Sequence, residues 1–210
     1  MKRKKTALLA ISLILAATQV VSAQFTTGLK AGLNISDVHF DIPLLNDEIE
    51  FRRGLNIGVF GRYFLNDRLD VQAELLYSQQ GYRTTTPVTD VGGNILLGGY
   101  KSLAHYLNIP VLIKFYPVRR IYLEAGPQAE FCLGHAYSAS GKEMEDALSD
   151  AGFEKNTADL SLTGGIGLCL GKGFSVNARY CHGLLKMPSG NTKYNNRVIQ
   201  FSLACDLWSF

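Results

Sequence analysis

The sequence predicts an all-β fold, an eight-stranded antiparallel up-and-down transmembrane β-barrel with a filled polar lumen, from three features. Between Phe25 and Phe210 eight segments alternate in polarity with a period of two, and over its central span one phase of each carries no Asp, Glu, Lys or Arg. The connections between segments are alternately short and long. Successive side chains of a strand point to opposite faces, so this pattern separates an apolar surface from a polar one along the whole chain.

The first segment, 25–38, sets Leu29, Ala31 and Leu33 against Gly28, Lys30 and Gly32. In 53–65 the apolar phase is Leu55, Ile57, Val59, Gly61, Tyr63 and Leu65, and after the turn Asn66-Asp67-Arg68 it continues in 69–82 as Leu69, Val71, Ala73, Leu75, Tyr77 and Gln79. Segment 103–116 carries Leu103, His105, Leu107, Ile109, Val111, Ile113 and Phe115 on that phase. Its Pro110 lacks a ladder donor and marks a bulge or an unpaired position. The turn Pro117–Arg120 leads to 121–135, the turn Gly171-Lys172-Gly173 joins 158–170 to 174–186, and 197–210 closes the series. The longer, polar connections are 39–52, 83–102, 136–157 and 187–196; the third reads equally as a solvated loop or as one holding a short helix, with Ser140 placed to cap it and Met144, Ala147, Leu148 and Ala151 on one face. Outer-membrane barrels have short periplasmic turns and long outer loops, and this alternation matches them at every crossing.

The polar phase holds Lys30, Arg62, Asp70, Glu74, Lys114, Glu124, Glu130, Asp159, Arg179 and Asp206. Periodicity alone does not say whether this phase faces inward, because a soluble barrel alternates with the faces reversed. Glycine does. Gly28, Gly32, Gly54, Gly58, Gly126, Gly165, Gly167 and Gly183 share the polar phase with bulky Phe60, Phe64, Tyr106 and Tyr122. Small beside large suits a crowded interior, whereas a water-facing surface would not favour strand-weakening glycine. The charged residues are thus expected inside, where Lys30, Arg62, Lys114 and Arg179 partner Asp70, Glu74, Glu124 and Glu130, since an unpaired buried charge is costly. A polar change at the inward Ser78 is expected to be tolerated and a charge at the outward Leu75 is not. Tyr63, Tyr77, Phe115, Phe174 and Tyr180 are placed for interfacial girdles.

Met1-Lys-Arg-Lys-Lys5, the apolar Thr6–Val21 and the small-residue box Val21-Ser22-Ala23 read as a secretory signal peptide over residues 1–23, leaving 24–210 as the outer-membrane barrel domain. Removing Lys2, Arg3, Lys4 and Lys5 takes 21 basic residues to 17 against 18 acidic ones, so the formal charge falls from +3 to −1. The basic balance belongs to the leader and gives no footing for nucleic-acid binding. After the leader no apolar run reaches membrane-helix length, so a span must be made of strands. Cys132, Cys169, Cys181 and Cys205 fall within strands at no metal-ligand spacing and read as small packing residues.

No cofactor or metal is called for by any motif. The expected partners are outer-membrane lipid and cell-envelope or secretion-system proteins, in an outer membrane of the Gram-negative kind. An eight-stranded barrel is only wide enough for side chains to fill, which argues against a porin or small-solute channel. A lipid-modifying enzyme would need a nucleophile and base at the outer rim; His105 and His182 fall there on the lipid phase, with Ser102 and Ser189 near along the chain, but no carboxylate accompanies them in phase. The remaining reading is a non-enzymatic structural or interaction protein whose barrel anchors its loops.

Particular motifs sharpen this. Gly28-Leu-Lys-Ala-Gly-Leu-Asn-Ile-Ser36, the hairpin Gly58–Gly81, Tyr106-Leu-Asn-Ile-Pro-Val-Leu-Ile-Lys-Phe-Tyr116, Tyr122-Leu-Glu-Ala-Gly-Pro-Gln128 and the hairpin Gly164–Leu184 give the chain a resemblance to the PorT-like outer-membrane β-barrels of the Bacteroidota, often labelled porin-family proteins. The resemblance implies an eight-stranded outer-membrane barrel, an association with secretion and gliding machinery through the family's named member, and no catalytic motif to carry over. The chain departs from the usual outer-membrane ending: Trp208 and Phe210 share a phase with Asp206, Ser202 and Gln200. Either a bulge near Cys205–Leu207 shifts the register, or the last residues sit at the interface where facing matters less.

Overall fold

The computed structural model describes residues 24–40, 49–84, 88–89, 95–97, 100–139, 158–185, 187–189 and 192–209. The signal peptide, the 140–151 segment read as loop or short helix, and Phe210 lie outside the described residues.

Eight long strands form the wall: β1 (Phe25–Phe40), β2 (Ile49–Asn66), β3 (Leu69–Thr84), β4 (Tyr100–Val118), β5 (Ile121–Ala139), β6 (Ala158–Gly171), β7 (Phe174–Gly183) and β8 (Thr192–Ser209). Each pairs antiparallel with its neighbour in sequence, and β8 returns to pair with β1 from Thr26↔Ser209 to Phe40↔Tyr194, so the sheet closes on itself. Closure leaves none of these eight strands an edge, which is what a bilayer demands of a β-structure. Most strands run past the alternating segments. β2 begins at Ile49, and Met187–Ser189 pairs back onto β8 where a loop is expected over 187–196. In the loop 83–102, Val88–Thr89 pairs with Ile95–Leu97. Polarity alternates only where one face meets lipid and the other the lumen. Ladder bonding continues beyond that belt, where both faces are wet and the sequence signal fades.

The facing follows the expected phases. Lys30, Glu74, Glu124, Glu130 and Arg179 are buried in the lumen, while Ile57, Leu162 and Ile113 keep 58%, 56% and 59% of their surface on the outside. Small-beside-large packing is seen directly: Gly28 lies opposite Phe60 and Gly167 opposite Tyr122, and a Cβ on either glycine would overlap the facing ring. The turn between β6 and β7 needs its glycines for another reason, since Gly171, Lys172 and Gly173 have φ of 92°, 53° and 80°.

Two irregularities sit where the sequence pointed. Thr27 pairs with Trp208 but Gly28 with Asp206, so Leu207 is an extra residue in β8. This bulge returns Trp208 to the outward phase and brings Ser209 to the lumen side, where its Oγ lies 3.1 Å from Thr26 Oγ1. Pro110 causes no bulge. It pairs with Gln128 of β5, while the β3–β4 ladder passes from Ala73↔Val111 to Leu76↔Asn108 in unbroken register. The missing donor is absorbed by a gap in the ladder rather than by an extra residue. None of the four cysteines is in a disulfide; Cys181 is buried in the lumen and accepts from Thr163 Oγ1 at 3.1 Å.

Candidate functional site

Among the described residues the lumen is where the fold gathers its buried polar groups, and it divides into three tiers between the end bearing the tight turns and the end bearing the long loops. At the turn end, Arg62 of β2 donates from Nη2 to Asp206 Oδ2 of β8 at 2.6 Å, with its Nε 3.9 Å from Asp70 Oδ2. The guanidinium lies over the Phe64 ring at 5.0 Å from its centroid. A cavity of about 500 Å³ opens here, lined by Arg62, Asp70, Tyr116, Arg119, Cys169 and Asp206 among others.

The middle tier is an ionic cluster drawn from five strands. Arg179 of β7 grips Glu74 of β3 across the barrel with Nη1 and Nη2, both at 2.9 Å, and gives Nε to Glu124 of β5 at 2.9 Å. Lys30 of β1 reaches both oxygens of Glu74 at 3.2 Å. Lys114 of β4 stands 3.7 Å from Glu124 Oε2 and 4.2 Å from the centre of the Tyr122 ring. Gln72 and Asn177 donate to Glu74 and Glu124 at 2.6 and 2.7 Å. The side chains of Arg179, Glu74 and Glu124 have 0% exposure. Bidentate, charge-assisted bonds at this depth offset the desolvation of the ions only because nearly every donor and acceptor is used.

Toward the loop end the lumen changes character. Asn56 donates to Asn34, Asn34 to Ser78 at 2.8 Å, Gln80 to Ser78 at 3.2 Å, and Asn196 to Gln80. Ser78 is therefore a fully buried member of a bonded network, on the inward phase expected for it, and its partners are all neutral. The pairing expected for Glu130 is corrected: its partners are Gln128 Nε2 at 2.9 Å, Ser161 Oγ at 2.6 Å and Gln80 Nε2 at 3.2 Å, with no cation in reach among the described residues. Asp206 takes the place expected for it, as the close partner of Arg62. Asp159 stands directly across the ladder from Glu130, and both are buried. Carboxylates so placed sit roughly 5 Å apart at Cβ, a repulsion of order 3 kcal/mol at an effective dielectric near 20.

Of the ten charged residues expected in the lumen, the fold thus brings Arg62, Asp70 and Asp206 together, then Lys30, Glu74, Lys114, Glu124 and Arg179, and leaves Glu130 and Asp159 apart. The amide network was not singled out from the sequence, although its members stand in the polar phase and only an uncharged run of that phase marks them.

On the outer wall each histidine of the loop-end girdle is matched with a tyrosine on its own face. Tyr77 Oη lies 2.5 Å from His105 Nδ1, and Tyr180 Oη 3.4 Å from His182 Nδ1, with both ring pairs stacked. His105 belongs to β4 and His182 to β7, so the two imidazoles are separated by two intervening strands and do not form one site. The side chains of Ser102 and Ser189 lie outside those described.

A family model described as "Outer membrane protein beta-barrel domain" matches residues 18–187. Among solved structures, Neisserial surface protein A is similar with a TM-score of 0.51 and 8% identity, covering 86% of this chain and 97% of that one. OprG of Pseudomonas aeruginosa follows at 0.47 with 12% identity, covering 89% and 97%, and Ail of Yersinia pestis at 0.44 with 12% identity, covering 86% and 99%. Among curated proteins none matches the sequence.

Proposed function

Because the chain belongs to the outer membrane protein β-barrel domain family, with a closed eight-stranded barrel that places it in the outer membrane, we propose that it is a non-conducting, non-enzymatic barrel that serves as a structural or interaction protein. The observation that carries this reading is the ionic cluster. Arg179 spans the lumen between β3 and β5, and with Lys30, Glu74, Glu124 and Lys114 it forms a plug of fully buried, mutually paired charges. Such a plug is costly to open, because displacing one ion strands its partners. A fold with lumen and lipid faces both committed to holding the wall together has its loops and turns left for recognition. The partner class that fits best is a cell-envelope or secretion-system protein, in keeping with the PorT-like resemblance of the hairpin motifs. With the usual orientation of such barrels, the turns carrying Asp67, Arg68, Arg119, Arg120 and Lys172 face the periplasm and the loops 39–52, 83–102 and 136–157 the exterior.

The test is conductance with cross-linking. Purified barrel in planar bilayers is expected to give no sustained channel opening, and a photo-reactive residue at Lys172 or in the loop 136–157 is expected to capture a protein in intact cells. Stable nanosiemens-scale conductance would return the porin reading. Loss of a lipid A modification in a His105→Ala/His182→Ala double variant would return the enzyme reading.

A further inference from the structure

We propose that the inner wall of β4, β5 and β6 at the loop end of the lumen is a calcium site, built from Asn108, Gln128, Glu130, Asp159 and Ser161. Ladder register makes these five residues a contiguous patch. Asn108, Glu130 and Asp159 stand on one rung, and Gln128 and Ser161 on the next. All five are at least 96% buried, and all present oxygen.

Two observations point to a cation here. The first is charge: two buried carboxylates stand on one rung of the ladder with no lysine or arginine in ion-pairing reach among the described residues, while each of the other lumen carboxylates has one. The second is a set of oxygens without partners. Asn108 is fully buried with neither side-chain Oδ1 nor Nδ2 bonded, and Gln128 Oε1 and Asp159 Oδ2 are also unpartnered. The Gln128 side chain reaches into the patch, where its Nε2 donates to Glu130 Oε1 at 2.9 Å, and a half-turn of the amide exchanges Nε2 for Oε1 there. Unpartnered atoms elsewhere in the lumen include ones that face an opposite charge: Arg62 Nε and Asp70 Oδ2 face each other at 3.9 Å, and Glu124 Oε2 faces Lys114 at 3.7 Å. Asp159 Oδ2 has no such neighbour among the described residues.

Two negative charges with amide and hydroxyl oxygens suit a hard divalent cation. Calcium is favoured over magnesium because it accepts six to eight oxygens in irregular geometry, whereas magnesium demands a near-ideal octahedron and gives up its waters reluctantly. Two carboxylates and neutral oxygens place the affinity in the weak range of extracellular sites, roughly 10⁻⁴–10⁻³ M.

The test uses the whole mature barrel in detergent micelles, stripped with chelator and then dialysed against radiolabelled calcium. One ion per barrel is expected, with an apparent Kd near that range and magnesium competing at least tenfold less well. The thermal midpoint should rise with added calcium. Asp159→Asn and Glu130→Gln, both isosteric, should each weaken binding at least tenfold and remove the calcium response of the midpoint. No binding by the wild-type barrel up to 10 mM would overturn the proposal, as would binding that survives in both variants, which would put the ion elsewhere. A midpoint that rises on acidification and ignores calcium would also overturn it, in favour of a proton shared by the two carboxylates.

Discussion

The turn-end and middle tiers of the lumen and its loop-end tier are built on the same strands with opposite logic. In the first, four cations meet four carboxylates, Asp70, Glu74, Glu124 and Asp206, and charge is balanced by charge. In the second, Glu130 is held by amide and hydroxyl donors alone, and Asp159 accepts the backbone N–H of Leu160 at 2.7 Å. The difference teaches where the barrel's rigidity resides. Ion pairs with no exposure lose several kcal/mol when one member is removed, because the survivor stays buried and uncompensated. Neutral hydrogen bonds contribute about 1 kcal/mol each and re-form with other neutral partners. The turn-end and middle tiers therefore lock the wall, and the loop-end tier is the half that tolerates change.

The largest expected effect comes from breaking the lock. Arg179→Met removes three bonds at 2.9 Å and leaves Glu74 with Lys30 and Glu124 with Lys114 at 3.7 Å. A loss of about 3–5 kcal/mol is expected, read by urea unfolding in micelles through the fluorescence of Trp208, the single tryptophan. A loss below about 1 kcal/mol would show that the cluster is solvated and that the two halves do not differ in kind. Next in size is Leu75→Arg. Its side chain points outward beside the inward Glu74, and an arginine at mid-bilayer on that face should cost about 2–4 kcal/mol. A neutral outcome would mean that this wall does not meet hydrocarbon.

Much of this architecture was legible. The phases that omit charge at Leu55–Leu65 and Leu103–Phe115 are the outward faces, and the glycines of the polar phase mark where rings pack, as at Gly28 and Gly167. The bulge was legible as a conflict, because Trp208 in phase with Asp206 can face lipid only if the register slips, and Leu207 is the slip. The pairing inside the lumen was legible only as composition. Alternation says which residues point inward, but which cation meets which carboxylate depends on the stagger between strands, and that is a property of the closed barrel. Hence Arg62 reaches the expected Asp70 only at 3.9 Å and bonds closely to Asp206, 144 residues away, while Glu130 meets none of the cations among the described residues. Strand lengths were underestimated at Ile49 and Thr192 because pairing outlasts the polarity contrast.

A smaller effect tests the packing that both halves share. Gly28→Ala places a methyl against the Phe60 ring and the Cys205 carbonyl, and overpacking of this kind should cost about 1–3 kcal/mol. Gly28→Ala combined with Phe60→Leu should recover part of that loss, since the shorter side chain vacates the space the ring fills. Failure to recover would assign the cost to the Cys205 backbone contact instead.

The smallest expected effect is at Glu130, and it completes the most direct comparison of the two halves: the same substitution, glutamate to glutamine, made at Glu124 and at Glu130 and measured with chelator present. Both residues are buried to within 3% and both sit on the inward phase of β5. Glu124 accepts from Arg179 and stands against Lys114, so neutralising it strands Lys114, takes from Arg179 one of its two carboxylates and should cost about 3–5 kcal/mol. Glu130 accepts from Gln80, Gln128 and Ser161, and a glutamine oxygen can keep one or two of these bonds while its amide turns toward the carboxylate of Asp159. The repulsion between Glu130 and Asp159 also disappears. The two terms oppose, so the net change should stay within about 1 kcal/mol of zero in either direction. Equal losses at the two sites would mean that a cation from outside the described residues reaches Glu130 and that the loop-end tier is locked in the same way as the middle one.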